Sequence, residues 1–295
     1  MAIPISSSTV QFPPLALGCM SLPERYADAE PVLHAAFDQG ISLFDTADLY
    51  QNGTNESNLG RALEGRRQHV LLATKVGNQR NPDGTSWTWN PRKAYILKEV
   101  EESLRRLRTP YIDLYQLHGG TMEDPWEETL EAFELLITQG KIRAFGISSI
   151  RPNVIRHVLR LQPPASVMMQ YNPLDRRPEE AVFPLLADTS TRVMVRGAFA
   201  KGMLLNKPVS DFLDFPAEKV KEIKSEIMHL GYPPEAVLIR FGLIERAVST
   251  LVIGASSVAQ ISRLAAGLEE SKGVPDDLIQ MLKRKLPVNH YQEHR

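Results

Sequence analysis

The sequence has only one cysteine, Cys19. A lone thiol cannot form an internal disulfide, and it excludes cysteine-cluster metal sites. It suits a reducing compartment, so the expected location is cytoplasmic. Charge of either sign is not in excess: 34 Lys and Arg stand against 35 Asp and Glu, for a net −1. That balance removes the bulk electrostatic case for nucleic acid or an anionic membrane as partner. No apolar run approaches the ~20 residues that span a bilayer. The first residues, MAIPISSSTVQFPP, lack the basic start and apolar stretch of a signal peptide. Neither G-x-G-x-x-G nor G-x-x-x-x-G-K-[ST] occurs, so neither common phosphate-cradling loop is available. Among the histidines only His290 and His294 have i, i+4 spacing, and they lack the Glu of an H-E-x-x-H motif. No metal site is expected.

What the sequence does have is a recurring unit. A short apolar, β-branched run ends on a polar or glycine residue and gives way to a helical pattern. The runs are Leu15–Gly18, Ile41–Phe44, Val70–Thr74, Asp113–Leu117, Ala144–Ile147, Val167–Met169, Val193–Val195 and Leu251–Ile253. Helical stripes fill the gaps at Ala27–Gln39, Ala94–Arg108, Trp126–Gln139, Asn153–Leu161 and Glu218–Leu230. Gly40 and Gly140 close two of them as C′ glycines, and Pro110 follows a third. Strands alternating with helices predict a parallel sheet. Eight such pairs predict a (β/α)8 barrel, read as one domain over residues 1–295. A doubly wound open sheet is the alternative, which strand count does not separate. Two steps are long enough for extra loops. These loops, Gly77–Asn90 with Trp87 and Trp89, and Lys201–Phe215, belong over the C-terminal face of a barrel. The basic cluster Arg105, Arg106 and Arg108 reads as a solvated helix end, with Glu101 and Glu102 one turn earlier as partners.

The ionisable residues fall at telling places. Asp45, Lys75 and His118 each stand at the carboxyl end of an apolar run, and on a barrel those ends converge at one mouth. Tyr50 lies five residues beyond Asp45, far enough to fold back over it. Together they make an acid–base set. The plainer reading has Asp45 and Lys75 as a rim salt bridge, Tyr50 as a loop anchor and His118 as a satisfied strand-end residue. Cys19 reads as a small apolar rim residue. Met20, Leu49 and Met203, like Trp87 and Trp89, read either as pocket lining or as loop packing.

These residues also carry a resemblance. Phe44-Asp45-Thr46-Ala47-Asp48-Leu49-Tyr50 resembles the aldo-keto reductase signature around its catalytic Asp and Tyr, and Ala73-Thr74-Lys75-Val76-Gly77 its Lys strand. Tyr111-Ile112-Asp113-Leu114-Tyr115-Gln116-Leu117-His118 resembles its His strand. Gly140 to Ser148 and Gln170-Tyr171-Asn172-Pro173-Leu174 are similar to two further blocks, all in the family's order from about Leu15 to Leu264.

The resemblance implies NAD(P)H-dependent carbonyl reduction, with hydride passing from nicotinamide to the carbonyl carbon of a small molecule. Tyr50 would be the proton donor, a nearby Lys75 ammonium would lower its pKa, Asp45 would hold Lys75, and His118 would orient the carbonyl. For the cofactor, the resemblance assigns Ser148, Ser149 and Gln170 to the nicotinamide carboxamide, Ser149 standing where many members carry Asn. It assigns Arg196 to the nicotinamide ring, in place of a frequent Tyr. It assigns Gly197, Phe199, Lys201 and Gly202 to the pyrophosphate. Gly254 and Ser256 open the eighth helix toward the same anion, and Gln260, Arg263 and Leu264 are read on one helical face with Ser256, toward the adenosine 2′-phosphate. No Asp or Glu stands there, so NADP(H) is expected, with NAD the alternative. A monomer is expected. Two other functions fit the same residues: a cofactor-binding regulatory subunit with slow turnover, and a Schiff-base lyase using Lys75. The lyase needs a neutral lysine, which Asp45 opposes.

Overall fold

The structure, a computed structural model, describes residues 10–81 and 83–295. Residues 1–9, which carry most of the signal-peptide reading, and Pro82 in the long loop lie outside it.

The first three strands are β1 (Leu15–Gly18), β2 (Leu43–Asp45) and β3 (Leu71–Val76). A short hairpin follows, β4 (Asn78–Arg80) and β5 (Trp87–Trp89), paired antiparallel. Then come β6 (Ile112–Leu117), β7 (Ile142–Ser148), β8 (Ser166–Gln170), β9 (Arg192–Arg196) and β10 (Val248–Gly254). Apart from the hairpin, the strands pair in parallel and close into a barrel, in the order β1-β10-β9-β8-β7-β6-β3-β2. Leu15 pairs with Leu251 at the closure, Leu17 with Phe44, and Lys75 with Gln116. Closure excludes the open sheet. The architecture is a (β/α)8 barrel.

Alternation along the strands decides what each face carries, because successive side chains point to opposite faces. Phe44, Leu72, Tyr115, Leu117, Phe145 and Ile147 pack outward under the helices. Ala16, Leu43, Ala73, Leu114, Ala144, Met168, Met194 and Val252 form a separate inner cluster. Two residues further along the same parity stand Asp45, Lys75, Gln116, Gln170, Arg196 and Gly254. The inner file is therefore apolar at depth, and at the carboxyl end it turns polar on most strands and to glycine on β1 and β10.

Helices cover the outside: α1 (Tyr26–Asp38), α2 (Thr54–Ala62), α3 (Lys93–Leu107), α4 (Trp126–Thr138) and α5 (Pro152–Leu161), then α6 (Pro178–Leu186), α7 (Ala217–Met228), α8 (Pro234–Leu243), α9 (Val258–Ser271) and α10 (Asp276–Lys285). Four of these, α2, α6, α8 and α10, have no counterpart among the helices read from sequence. Each has ten residues or fewer, and α6 contains both Pro178 and Pro184. So few turns give periodicity little to repeat. The loop Gly77–Asn90 is likewise not bare, since it contains the hairpin.

Arg106 departs from the solvated helix end. Its guanidinium donates from Nε to Glu56 Oε2 at 2.6 Å and from Nη2 to Glu99 Oε1 at 2.6 Å. Glu56 is fully buried and also accepts from Thr74 Oγ1 on β3 at 2.6 Å. This network ties α2, α3 and the barrel wall together. Of the cluster, Arg105 pairs with Glu102 as expected, while Glu101 turns to Lys141 and Arg108 to Glu64.

Candidate active site

The end of β2 delivers Asp45 and the end of β3 delivers Lys75. Lys75 Nζ donates to Asp45 Oδ2 and to the Thr46 carbonyl, both at 2.7 Å. Gln116 Nε2 donates to the other carboxylate oxygen at 3.3 Å. Lys75 and Asp45 are 1% and 3% exposed, so this is a buried pair and not a rim salt bridge. Burial pulls the ammonium toward its neutral form, but Asp45 foremost, with Tyr50 and Cys19, outweighs it and holds Lys75 above its ordinary pKa.

Tyr50 sits on the segment after β2, and a dedicated set of bonds fixes that segment. Thr46 Oγ1 donates to Asn55 Oδ1 at 2.7 Å, and Asn55 Nδ2 donates to the Cys19 carbonyl at 2.8 Å. Gln51 Nε2 donates to the Leu22 carbonyl at 2.6 Å. Directly after Tyr50 the backbone turns left-handed at Gln51, Asn52 and Gly53, with φ of 48°, 57° and 83°. Only glycine adopts that region without strain, so the two non-glycine residues are held there by the surrounding bonds.

This tether brings the Tyr50 ring to the buried pair. Lys75 Nζ lies 5.3 Å from the ring centroid. The His118 ring lies 6.0 Å away, edge to face at 78°. His118 follows β6 and is anchored through its backbone N–H to the Val76 carbonyl at 2.8 Å. Burial, with the Lys75 and Arg196 charges, pushes its imidazole down to about 3, so the ring is neutral at physiological pH. Its Nδ1 is buried without a partner, as is Oε1 of Gln116. At Tyr50 the expected downward pull of Lys75 is present but is not the larger effect. Burial raises the phenol above its ordinary pKa; Lys75 and Arg196 pull it back only in part. The hydroxyl therefore keeps its proton at neutral pH.

The remaining rim residues continue around the mouth. Ser148 ends β7 half-buried, and its hydroxyl bonds to no protein group among the described residues. Ser149 is turned to α5, where its Oγ accepts the Arg151 N–H at 3.2 Å. Gln170 Nε2 donates to Asp175 Oδ2 at 2.9 Å, and its Oε1 accepts from Arg196 Nη1 at 3.3 Å. Gly197 and Gly202 adopt φ of 67° and 89°, with Lys201 between them exposed and Phe199 partly buried. Asn172 Nδ2 holds that turn through the Gly197 carbonyl at 2.8 Å. A Cβ on Gly254 would meet Ser21 Oγ at 2.7 Å, so the Ser21 side chain would have to turn aside. At the start of α9, Gln260 Oε1 accepts from the Ser256 N–H at 2.7 Å. Leu264 is a correction: it is buried in the core and leaves Ser256, Gln260 and Arg263 on the outer face. A free hydroxyl, an amide, a guanidinium and glycine-lined backbone form a donor and acceptor set that fits a nicotinamide dinucleotide.

Beside His118 opens a cleft of about 290 Å³. Trp87 and Trp89 wall it, with Ser148, Ile150 and Arg151 across its lining. Trp89 is fixed from both sides. Its indole N–H donates to Asp124 Oδ1 at 2.9 Å, and its ring leaves no space for a Cβ on Gly77, which would come within 2.6 Å. The tryptophans thus both line the cleft and pack the loop. Met20 is exposed, Leu49 is half-buried and Met203 is buried; none of the three lines the cleft. Cys19 is fully buried. Among the described residues no group of three or more His, Cys, Asp or Glu is arranged to hold a metal ion, and no helix is long and apolar enough to cross a membrane.

Sequence reasoning missed Gln116, Asn55, Asn172 and Arg151. Gln116 was findable, since it shares inward parity with Leu114 on β6. The others act through loop contacts that no local pattern announces.

Residues 14–284 match the profile of the aldo/keto reductase family. The uncharacterized oxidoreductase YqkF of Bacillus subtilis is 38% identical, over 99% of this chain and 98% of its own. The holo form of aldo-keto reductase AKR11C1 from Bacillus halodurans superimposes with a TM-score of 0.94 at 40% identity, covering 99% of this chain and 98% of that one. An aldo/keto reductase from Klebsiella pneumoniae, solved with NADP and acetate, superimposes with a TM-score of 0.77 at 25% identity, over 97% and 98%.

Proposed function

The chain belongs to the aldo/keto reductase family and is an oxidoreductase, and on that premise we propose that it reduces aldehyde or ketone carbonyls with NADPH, using Tyr50 as the proton donor. The observation that carries the reading is the meeting of four side chains from distant segments at one mouth. Lys75 and Asp45 form the buried pair, and the Tyr50 and His118 rings meet edge to face beside it.

When bound, the nicotinamide supplies the hydride. The chain's own residues do the rest. Reduction puts negative charge on the substrate oxygen, and a protonated Tyr50 stands ready to quench it. Giving up that proton leaves a phenolate in a buried site, which is costly unless a cation is near. Lys75 is that cation, and Asp45 keeps it charged and in place. A positioned acid of this kind contributes about 10²- to 10⁴-fold. His118, neutral, donates a hydrogen bond to the carbonyl oxygen and fixes the angle of approach. Its unpartnered Nδ1 is a buried polar atom of the kind that a functional contact satisfies.

Ser148 and Gln170 would hold the carboxamide, Gln170 giving up its Asp175 or Arg196 contact to do so. Arg196 would meet the nicotinamide ring, and the 197–202 turn with the start of α9 would take the phosphates. Ser149 assists Ser148 from the α5 side. NADP(H) is favoured over NAD because Gln260 is uncharged and Arg263, 3.9 Å from Glu235, is cationic, and the Klebsiella relative holds NADP. The chain acts as a monomer in the cytoplasm, on small molecules.

The test is a fluorescence titration with NADPH and NADH, followed by a carbonyl panel read at the reduced-nicotinamide absorbance. Tighter binding of NADPH and turnover of at least one aldehyde class are expected. Cofactor binding with no carbonyl turnover would instead favour the regulatory-subunit reading.

A further inference from the structure

The cleft beside His118 presents a cation that the reaction does not use. Arg151 directly precedes α5, half-buried on the cleft lining. Its guanidinium is held in place, because Nη1 donates to the Gly120 carbonyl at 3.1 Å. That carbonyl is itself fixed. Gly120 has φ +135°, and a Cβ there would lie 2.9 Å from two atoms of the Trp126 ring. Trp126 is buried, and its indole N–H donates to the Thr121 carbonyl at 2.7 Å.

Arg151 has no anionic partner among the described residues, and no acidic residue lines the cleft. Asp124, in the loop that follows Gly120, is already committed. Its Oδ1 accepts from Trp89 Nε1 at 2.9 Å and its Oδ2 from the Thr121 N–H at 2.7 Å. A guanidinium using one N–H, pinned beside an aromatic wall, keeps a planar donor fork free for carboxylate or phosphate.

We propose that Arg151 selects carbonyl substrates carrying a second, anionic group, with the carbonyl at Tyr50 and His118 and the body against Trp87 and Trp89. The inference rests on the reductase reading of the cleft. Arg151 is a specificity residue, and it takes no part in proton or hydride transfer.

The test compares matched pairs at saturating NADPH: 4-formylbenzoate against benzaldehyde, and glyceraldehyde 3-phosphate against glyceraldehyde. The wild-type kcat/KM ratio is expected to favour the anionic member of at least one pair, and the pair that responds tells carboxylate from phosphate. Arg151→Gln should collapse that ratio by about 10- to 100-fold, mainly through KM, the range a lost charged hydrogen bond gives. Arg151→Lys should restore part of it. Raising the salt should erode the wild-type ratio, which needs no variant to fold. Ratios at or below one for both pairs, or a preference that survives in Arg151→Gln, overturn the proposal. If no carbonyl is turned over, the reductase reading fails on its own. Calorimetric binding of benzoate and of inorganic phosphate to the NADPH-loaded protein then decides the anion site. Arg151-dependent binding of either sustains it, and equal or absent binding in both proteins overturns it.

Discussion

Tyr50 and His118 meet the same burial and answer it oppositely, because burial always disfavours whichever form is charged. The phenol is pushed up and stays protonated; the imidazole is pushed down and stays neutral. Both are therefore hydrogen-bond donors at physiological pH. Tyr50→Phe is expected to keep NADPH affinity within a few-fold yet remove about 100-fold or more of reductase kcat, measured by steady-state kinetics. The wild-type rate of reduction should hold flat through neutral pH and fall only as the phenol ionises, above the ordinary value of 10.0. His118 bears on stability as well. Its folded pKa of about 3 lies below the reference 6.5, so between those values the unfolded chain binds a proton that the folded chain refuses. Stability should be independent of this group above about pH 6.5. Below that it should fall by at most about 1.4 kcal/mol per pH unit. Urea midpoints compared between pH 4 and 8 should fall more steeply toward acid in wild type than in His118→Gln if the slope belongs to this ring.

At the scale of elements, the contact between α2 and α3 is set by the absence of a side chain. A Cβ on Gly60 would lie 2.5 Å from the Leu107 carbonyl carbon and 2.6 Å from its oxygen. The Glu56–Arg106 pair bridges the two helices next to that contact. Gly60→Ala is expected to cost about 1–3 kcal/mol by overpacking, despite alanine's better helix propensity, and denaturant melts should read it directly. Element pattern was also where the sequence was most informative. Each apolar run ends where the chain turns to a polar residue or glycine, as Thr74 gives way to Lys75 and Met169 to Gln170. That pattern placed Asp45, Lys75, His118, Ser148, Gln170 and Arg196 at strand ends before any coordinates. It did not reveal the β4–β5 hairpin, whose three-residue strands are shorter than a readable period. Nor did it reveal Arg106's burial, because its partner Glu56 lies fifty positions away in a helix too short to be read. The depth of the Lys75–Asp45 pair was hidden for a related reason. Parity says which way a side chain points, while the loops packed over it decide how dry it is.

For the whole molecule, we propose that the barrel and its helices form one domain that unfolds as a unit. Scanning calorimetry should give a single transition whose calorimetric and van't Hoff enthalpies agree. Added NADPH at 100 times its Kd should raise the midpoint by about 4 °C, from about 2.7 kcal/mol of linkage. Two melting events, or a midpoint indifferent to NADPH, would count against one domain and against the cofactor reading respectively.

Closure of the barrel depends on β1 meeting β10, with Leu15 against Leu251 and Gly18 against Gly254. During synthesis the first-made strand must wait for the ribosome to release almost all of the chain before its outer edge finds a neighbour. Any product truncated ahead of Val248 would leave two bare edges, on β1 and β9, each able to template sheet growth between molecules. Premature termination of this chain should therefore yield insoluble protein and not a weakened enzyme.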